Sequence, residues 1–273
     1  MNKWRMRMAA ASLTVAGPAL AGSVLELLTT EYTQDPPILG TVEISTLDNL
    51  SRIEITSITS NESGGMIFRG DRGEMIAIDH EVQQYYVIDQ AMMNRMATQV
   101  SDAMQQMQQA LEAMPPEQRA LAEQMMQRQM QPAEAPAKPP VTLSKTGETD
   151  EIAGYDCEYY DVMQESLKIR DLCVTTWEEI EEGRQVAAAM MQVADFFESM
   201  REAFAGAGGL DVMDRQQEMF SYMEQLQGYP VLSRDYDATG KMTMESRLQS
   251  AGHVEVAEAL FEPPNGYTQQ ALQ

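Results

Sequence analysis

The sequence has few cations, few histidines and few cysteines. Its 273 residues include 19 Lys and Arg against 42 Asp and Glu, with two His and two Cys. The formal net charge of −23 repels phosphate backbones and anionic lipid surfaces. We therefore expect no nucleic-acid partner and no adhesion to anionic membranes.

Recognisable catalytic motifs are also missing. Neither His80 nor His253 belongs to a motif in which a Ser, Cys or carboxylate follows at a known catalytic spacing. The many acidic residues could form any pair in space, but none stands out as an acid and base. We expect a non-catalytic protein with no cofactor and no metal site.

No apolar run after the N-terminus reaches the ~20 residues of a membrane span. Residues 1–7 carry three cations, residues 8–16 are apolar, and residues 19–21 read Ala-Leu-Ala. This layout is typical of a secretory signal peptide. Position 22 is Gly, where a lipoprotein would have Cys. We predict a signal peptide at residues 1–21, cleavage after Ala21, a periplasmic protein and no stable membrane anchor.

Cys157 and Cys173 are predicted to form a disulfide. An exported chain enters an oxidising compartment, where an even number of cysteines favours a bridge. Residues 155–163 and 168–175 resemble two strands around a short turn, and a hairpin folded about Glu165 places Cys157 opposite Cys173. A redox-active pair is the alternative, but the C-x-x-C spacing that would favour it is absent.

Strand patterns fill residues 24–88, where β-branched and aromatic residues alternate with polar ones between turn sequences. In Met75–Ile78 and Tyr85–Ile88 the apolar side chains point to both faces. A sheet that is apolar on both faces must be covered on both, or must line an interior cavity.

A helical period follows, in which apolar residues recur every three or four positions. Asp89 is a plausible N-cap, and Pro115 and Pro116 divide the segment. We predict a helical hairpin at residues 90–130 and a Pro-rich linker at 131–140. The apolar stripe comprises Met93, Met96, Val100, Ala103, Met107, Ala110 and Met114.

Further strands and helices complete the chain. A capping box at Thr176–Glu179 is predicted to open a helix whose stripe runs from Val186 to Phe204. A closing hairpin follows at residues 229–248. The order predicts an α+β fold, a single domain at residues 22–273, with one curved antiparallel sheet and amphipathic helices on its inner face.

Five short segments, in this order along the chain, carry a resemblance to known proteins: Met66–Glu81, Thr146–Tyr160, Val174–Trp177, Tyr229–Leu232 and Leu260–Tyr267. They resemble bacterial envelope proteins of the lipoprotein-carrier (LolA/LolB-like) type, and within them an uncharacterised envelope family of unknown function. The resemblance implies an open half-barrel whose concave face holds helices and, in the carriers, acyl chains. It implies no individual ligand-binding residue in this sequence.

The 23 methionines permit three interpretations. A methionine stripe lying over a half-barrel could form an adaptable lid for acyl chains, could simply pack in the core, or could bind Cu(I). Copper is disfavoured because no His or Cys accompanies the methionines. The lid interpretation gives the candidate ligand-binding residues Tyr86, Met93, Met96, Val100, Met107 and Phe197.

The sequence thus favours a soluble periplasmic binding or carrier-like protein for an apolar small molecule or acyl chain. The alternative is an envelope scaffold that docks a protein partner through the Met/Gln-rich hairpin at residues 90–130. An interior filled by helices would favour the scaffold, and an open cavity of several hundred Å3 would favour the carrier.

Overall fold

The computed structural model describes residues 20–60, 62–112, 115, 140–204 and 225–271. Two α-helices, α1 (Gln90–Glu112) and α2 (Glu181–Phe204), and a short 3-10 helix (Glu258–Phe261) lie within these ranges. The strands are β1 (Leu20–Glu31), β2 (Ile38–Leu47), β3 (Leu50–Ser57), β4 (Ser63–Arg69), β5 (Glu74–Asp79), β6 (Gln84–Ile88), β7 (Val141–Ile152), β8 (Tyr155–Gln164), β9 (Leu167–Thr176), β10 (Gly228–Tyr236), β11 (Met242–Val256) and β12 (Thr268–Gln270).

The twelve strands form one open sheet in the order β12-β6-β5-β4-β3-β2-β1-β11-β10-β9-β8-β7. Strands β1–β6 form one antiparallel meander and β7–β11 a second, and the two meet where β1 pairs with β11. Strand β12 pairs with β6 in parallel. The predicted antiparallel sheet is therefore confirmed, apart from one parallel strand at its edge.

The strands predicted within residues 24–88 are confirmed, because β1–β6 occupy residues 20–88 and are separated by short turns. Strand β11 is longer than predicted, because residues 249–256 continue to pair with β1. Asp89 caps α1 as predicted, since its carboxylate accepts a hydrogen bond from the backbone N–H of Met92 at 2.7 Å. The second helix of the hairpin and residues 131–139 of the linker lie outside the described residues.

The predicted capping box at Thr176–Glu179 is wrong. Helix α2 begins at Glu181, after a turn in which the Thr176 carbonyl accepts the N–H groups of Glu179 and Ile180. The Glu179 carboxylate accepts its hydrogen bond from the Thr175 hydroxyl at 2.7 Å. Thr176 and Glu179 have the spacing of a capping box, but they lie at the end of β9 and in the turn that follows it.

Helix α2 covers one face of the sheet, where it crosses β1–β3, β10 and β11. Val186 packs with Leu25 and Ile44 in the largest core cluster. Further along the helix, Val193 packs with Phe68 of β4 and with Met75. We call this the helix face of the sheet.

The opposite face of β3–β6 is covered by a C-terminal strap, residues 257–270. Phe261 of the strap is fully buried and packs with Ile67 and Ile76, and the partly buried Tyr267 joins the same cluster. In β5, Met75 therefore packs on the helix face and Ile76 on the strap face, whereas every residue of β6 is only partly buried.

Arg69 holds the strap by its charge. Its side chain is 1% exposed, yet its guanidinium lies 2.8 Å from Asp71, 3.1 Å from Glu258 and 3.0 Å from Glu262. The hydrogen bond from Arg69 lowers the pKa of the Asp71 carboxyl below its ordinary value of 3.8. This contribution to stability is present above that value and is lost as the pH falls below it.

The disulfide between Cys157 and Cys173 is present, with the two Cα atoms 5.3 Å apart. The predicted direct opposition of the two residues is wrong. The turn is centred between Glu165 and Ser166, since Gln164 pairs with Leu167, and a bulge at Val162/Met163 shifts the register by one more residue. Tyr159 therefore pairs with Cys173, and the bridge runs diagonally across the hairpin. The bridge joins β8 to β9 beside the main core cluster.

Removing the bridge should destabilise the fold through the unfolded chain. The double variant Cys157→Ser/Cys173→Ser is expected to lose about 3 kcal/mol of unfolding free energy, because the bridge closes a loop with a sequence separation of 16. Urea unfolding of oxidised wild type and variant measures the difference. Alkylation of two thiols in the native protein without reductant would contradict the bridge.

Removing the Arg69 guanidinium should loosen the strap. Arg69→Gln is expected to cost about 2 kcal/mol, because it removes the charged hydrogen bonds of a buried cation whose three carboxylate partners are themselves 37–64% exposed. Arg72→Gln is the matched control, since Arg72 is 45% exposed while it contacts the same Glu262. The urea midpoints are compared, and an equal loss in both variants would contradict a special role for Arg69.

Candidate functional site

The helix face carries an open groove beyond the part that α2 covers. Its volume is about 660 Å3, and it crosses β1 to β5 at one end of these strands. The lining residues are Thr29, Glu31, Ile38, Gly40, Val42, Ile55, Thr56, Ser57, Glu62, Ser63, Gly64, Ile78, Asp79, Glu81 and Met244.

The floor of the groove is largely apolar and in part exposed. Val42 and Ile55 are paired across β2 and β3, and Ile38 lies further along β2 on the same face. Ile55 is 53% exposed and Met244 is 39% exposed, although both lie on sheet surface that continues into the core. Exposed apolar side chains gathered in a concave site are typical of ligand binding.

Two glycines keep the floor low. Gly40 pairs with Thr29 of β1 and Ser57 of β3, and Gly64 pairs with Ile55. A Cβ atom at Gly40 would lie 3.0 Å from the Thr29 hydroxyl oxygen and 3.1 Å from the Thr56 carbonyl oxygen. Because Gly40 and Gly64 have no side chains, the groove stays open at two positions where a larger residue would fill it.

All charged residues that line the groove are acidic: Glu31, Glu62, Asp79 and Glu81. Their hydrogen bonds are local, since Asp79 accepts the N–H groups of Glu81 at 3.0 Å and Val82 at 3.2 Å, and Glu62 accepts from Ser60 at 3.2 Å. Glu31 accepts from Thr33. None of the four carboxylates forms an ion pair within the described ranges.

Three of the six candidate ligand-binding residues of the lid interpretation lie outside this groove. Met93 is buried near the start of α1, Tyr86 is half-buried on β6, and Phe197 packs against the Phe68 cluster. None of these three lines the groove. Met96, Val100 and Met107 belong to α1, but their side chains lie outside the described residues, so their role in binding stays a prediction.

Both histidines have partners that sequence reasoning missed. His80 lies 2.7 Å from Glu54 through Nε2 and 2.8 Å from the Tyr267 hydroxyl through Nδ1. Tyr267 is 187 residues away in the chain, so no spacing rule could have paired it with His80. This bridge ties the strap to the sheet.

The second histidine, His253 on β11, lies 3.4 Å from the Ser23 hydroxyl and 3.6 Å from Glu182. Ser23 is fully buried and donates its hydrogen to Gln185 at 2.6 Å. The arrangement joins β1, β11 and α2 by hydrogen bonds, and the buried Ser23 hydroxyl offers no route for a substrate.

Among the residues that the structure describes, no group of three or more His, Cys, Asp or Glu side chains is placed to hold a metal ion. No helix in that part of the chain is long and apolar enough to cross a membrane.

Solved structures with remote similarity include an uncharacterised conserved protein from Thermus thermophilus. The TM-score is 0.44 at 8% identity, over 91% of this chain and 90% of that one. The MucA/MucB complex of Pseudomonas aeruginosa gives a TM-score of 0.37 at 10% identity, over 89% of this chain and 55% of that one. A crystal structure of MucB gives 0.38 at 8%, over 92% and 60%. This chain therefore spans little more than half the length of the MucB chains.

Comparison of the sequence with family profiles gives a more specific result than the comparison of structures. No curated protein matches it. The profile of a family described as a domain of unknown function, DUF4412, matches residues 87–267, which is roughly two thirds of the chain. The match runs from the end of β6 through α1, the second meander and most of the strap. The chain belongs to the DUF4412 family.

Proposed function

We propose that this protein is a non-catalytic periplasmic binding or carrier-like protein whose groove takes an apolar ligand, such as a lipid or an acylated molecule. The observation that carries the proposal is the groove on the helix face, with Ile55 and Met244 exposed on its floor. Its volume of about 660 Å3 lies within the roughly 300–1,000 Å3 of small-molecule sites.

The architecture that fits this function is an open half-barrel of the LolA/LolB-like type. In this arrangement the twelve-stranded sheet curves around its helix face, α2 fills one part of the concave side, and the groove is the part left open. The opposite face supports the proposal, because the strap closes it with Phe261 and leaves the helix face as the side available to a ligand.

Helix α1 supplies the adaptable part of the site in this proposal. It contacts α2 and β6, and Met93 anchors it in the protein. The methionine stripe is the proposed lid for the acyl chain, with Tyr86 and Phe197 as further candidate contacts.

The proposed location rests on the N-terminal sequence. Cleavage after Ala21 would start the protein at Gly22, which pairs with Val254, and would leave the pairing of β1 with β11 intact from there to Glu31. Gly22 is closely packed, because a Cβ atom there would lie 2.5 Å from the Thr46 carbonyl oxygen.

Expression of the whole chain in a bacterium tests export. The intact mass of protein from the periplasmic fraction is expected to correspond to residues 22–273 with one disulfide. Unprocessed protein that stays in the cytoplasm would contradict the proposed location, and a mass that includes an added acyl group would contradict the absence of an anchor.

The groove itself is tested by replacing its most exposed apolar residue. Ile55→Ser is expected to change stability by no more than about 0.5 kcal/mol, because Ile55 is 53% exposed, but to weaken binding of a fluorescent acyl probe several-fold. Ile58→Ser is the matched control, since Ile58 is 59% exposed and does not line the groove. Probe titration and urea unfolding measure both effects.

Equal probe binding by the Ile55 and Ile58 variants would contradict the groove as the site.

The alternative function, an envelope scaffold that docks a protein partner through residues 90–130, draws support from α1. Among the described side chains of α1, Asn94, Gln99, Gln105 and Gln109 are exposed, and such a polar surface suits contact with a protein partner. Failure of the wild-type protein to bind any acyl probe would favour this alternative.

A further inference from the structure

We propose that the groove selects amphiphiles whose polar end is cationic, such as an alkyl chain with an amine or quaternary ammonium head. This inference rests on the proposed function, since it names the ligand class of the same groove. The basis is the placement of charge on the two faces of β3–β5.

On the strap face, carboxylates and guanidinium groups are matched. Arg69 contacts Asp71, Glu258 and Glu262, while the exposed Arg72 contacts Glu74 and Glu262. Arg52 pairs with Glu54 and donates to the Leu260 carbonyl at 2.7 Å. The cations of β3, β4 and the turn after β4 are therefore used on the closed face.

On the helix face, the carboxylates of the groove have no such partners. Glu31, Glu62, Asp79 and Glu81 line it, no Lys, Arg or His does, and no ion pair to any of the four occurs in the described part of the chain. A cation bound there would meet unpaired negative charge, whereas a phosphate, sulfate or carboxylate head would be repelled.

The charge is also concentrated at one end. Asp79 and Glu81 follow β5, and Glu62 precedes β4, where the Ser63 carbonyl accepts the N–H of His80. We call these three carboxylates the acidic end. Ile55 of β3 pairs with Gly64 of β4, which pairs in turn with Asp79 of β5. At the ordinary spacing between strands, the backbones at Ile55 and Asp79 are therefore about 10 Å apart.

This spacing suits a ligand with two different ends. An ammonium head can lie among the carboxylates while its alkyl chain covers Ile55, Val42 and Met244. A wholly apolar ligand would leave the acidic end uncompensated, and a small polyamine would leave the apolar floor exposed to water. An amphiphile with a cationic head satisfies both parts of the groove.

Three single-chain probes of equal chain length test the inference by calorimetry below their micelle concentrations: dodecyltrimethylammonium, dodecyl maltoside and dodecyl sulfate. The cationic probe is expected to bind about tenfold more tightly than the neutral one, with the anionic probe weakest. The preference should shrink at high salt, because the acidic end is open to solvent.

The triple variant Glu62→Gln/Asp79→Asn/Glu81→Gln removes the acidic end and is expected to abolish the preference for the cationic probe over dodecyl maltoside. The asparagine retains the oxygen that accepts the two backbone hydrogen bonds of the turn. The matched control is Glu148→Gln/Glu151→Gln/Asp156→Asn, which removes the same charge from exposed positions on the β7–β8 hairpin.

The outcomes separate this inference from the function on which it rests. Binding of none of the three probes would overturn both the groove as a ligand site and the charge preference. Binding of dodecyl maltoside without a preference for the cation would overturn the inference alone. An equal loss of preference in both triple variants would also overturn it, because the preference would then come from the overall negative charge.

Discussion

The pairing of β1 with β11 is the constraint on which the rest of the structure depends. It joins the first and second meanders into one sheet, and its register runs from Leu20–Val256 to Glu31–Met244. The strap begins directly after Val256, so this register also decides where the strap meets the opposite face of β3–β6. Helix α2 lies over the same junction and contacts both strands.

The two faces of the first meander differ in what covers them. The strap closes one face with a fully buried Phe261 and the ion pairs of Arg69. On the other face α2 covers only part of the strands, and the surface beyond it stays open around Ile55. The apolar strand residues continue beyond the area that α2 covers. The groove is therefore open because α2 is too short to reach this part of the helix face and the strap lies on the opposite face.

The same division governs the charges. Arg52 and Arg69 point to the strap face because strand side chains alternate, and their neighbours in the strands therefore point to the helix face. In a chain with 42 acidic and 19 basic residues, cations used on one face are not available on the other. The unpaired carboxylates of the groove are a consequence of this alternation combined with the composition.

The sequence alone determined the strands of residues 38–88, the N-cap of α1, the disulfide partners and the presence of a large antiparallel sheet, because alternation, capping and cysteine count are local signals. It did not determine the diagonal bridge, since the bulge at Val162/Met163 has no sequence signature, nor the true start of α2 at Glu181. His80 and Tyr267 are 187 residues apart in the chain, and Arg69 and Glu262 are 193 residues apart, so no local sequence signal could predict either contact. The groove has in part the same origin, because Met244 becomes a neighbour of Glu31 only when β11 pairs with β1, and only tertiary structure decides that pairing.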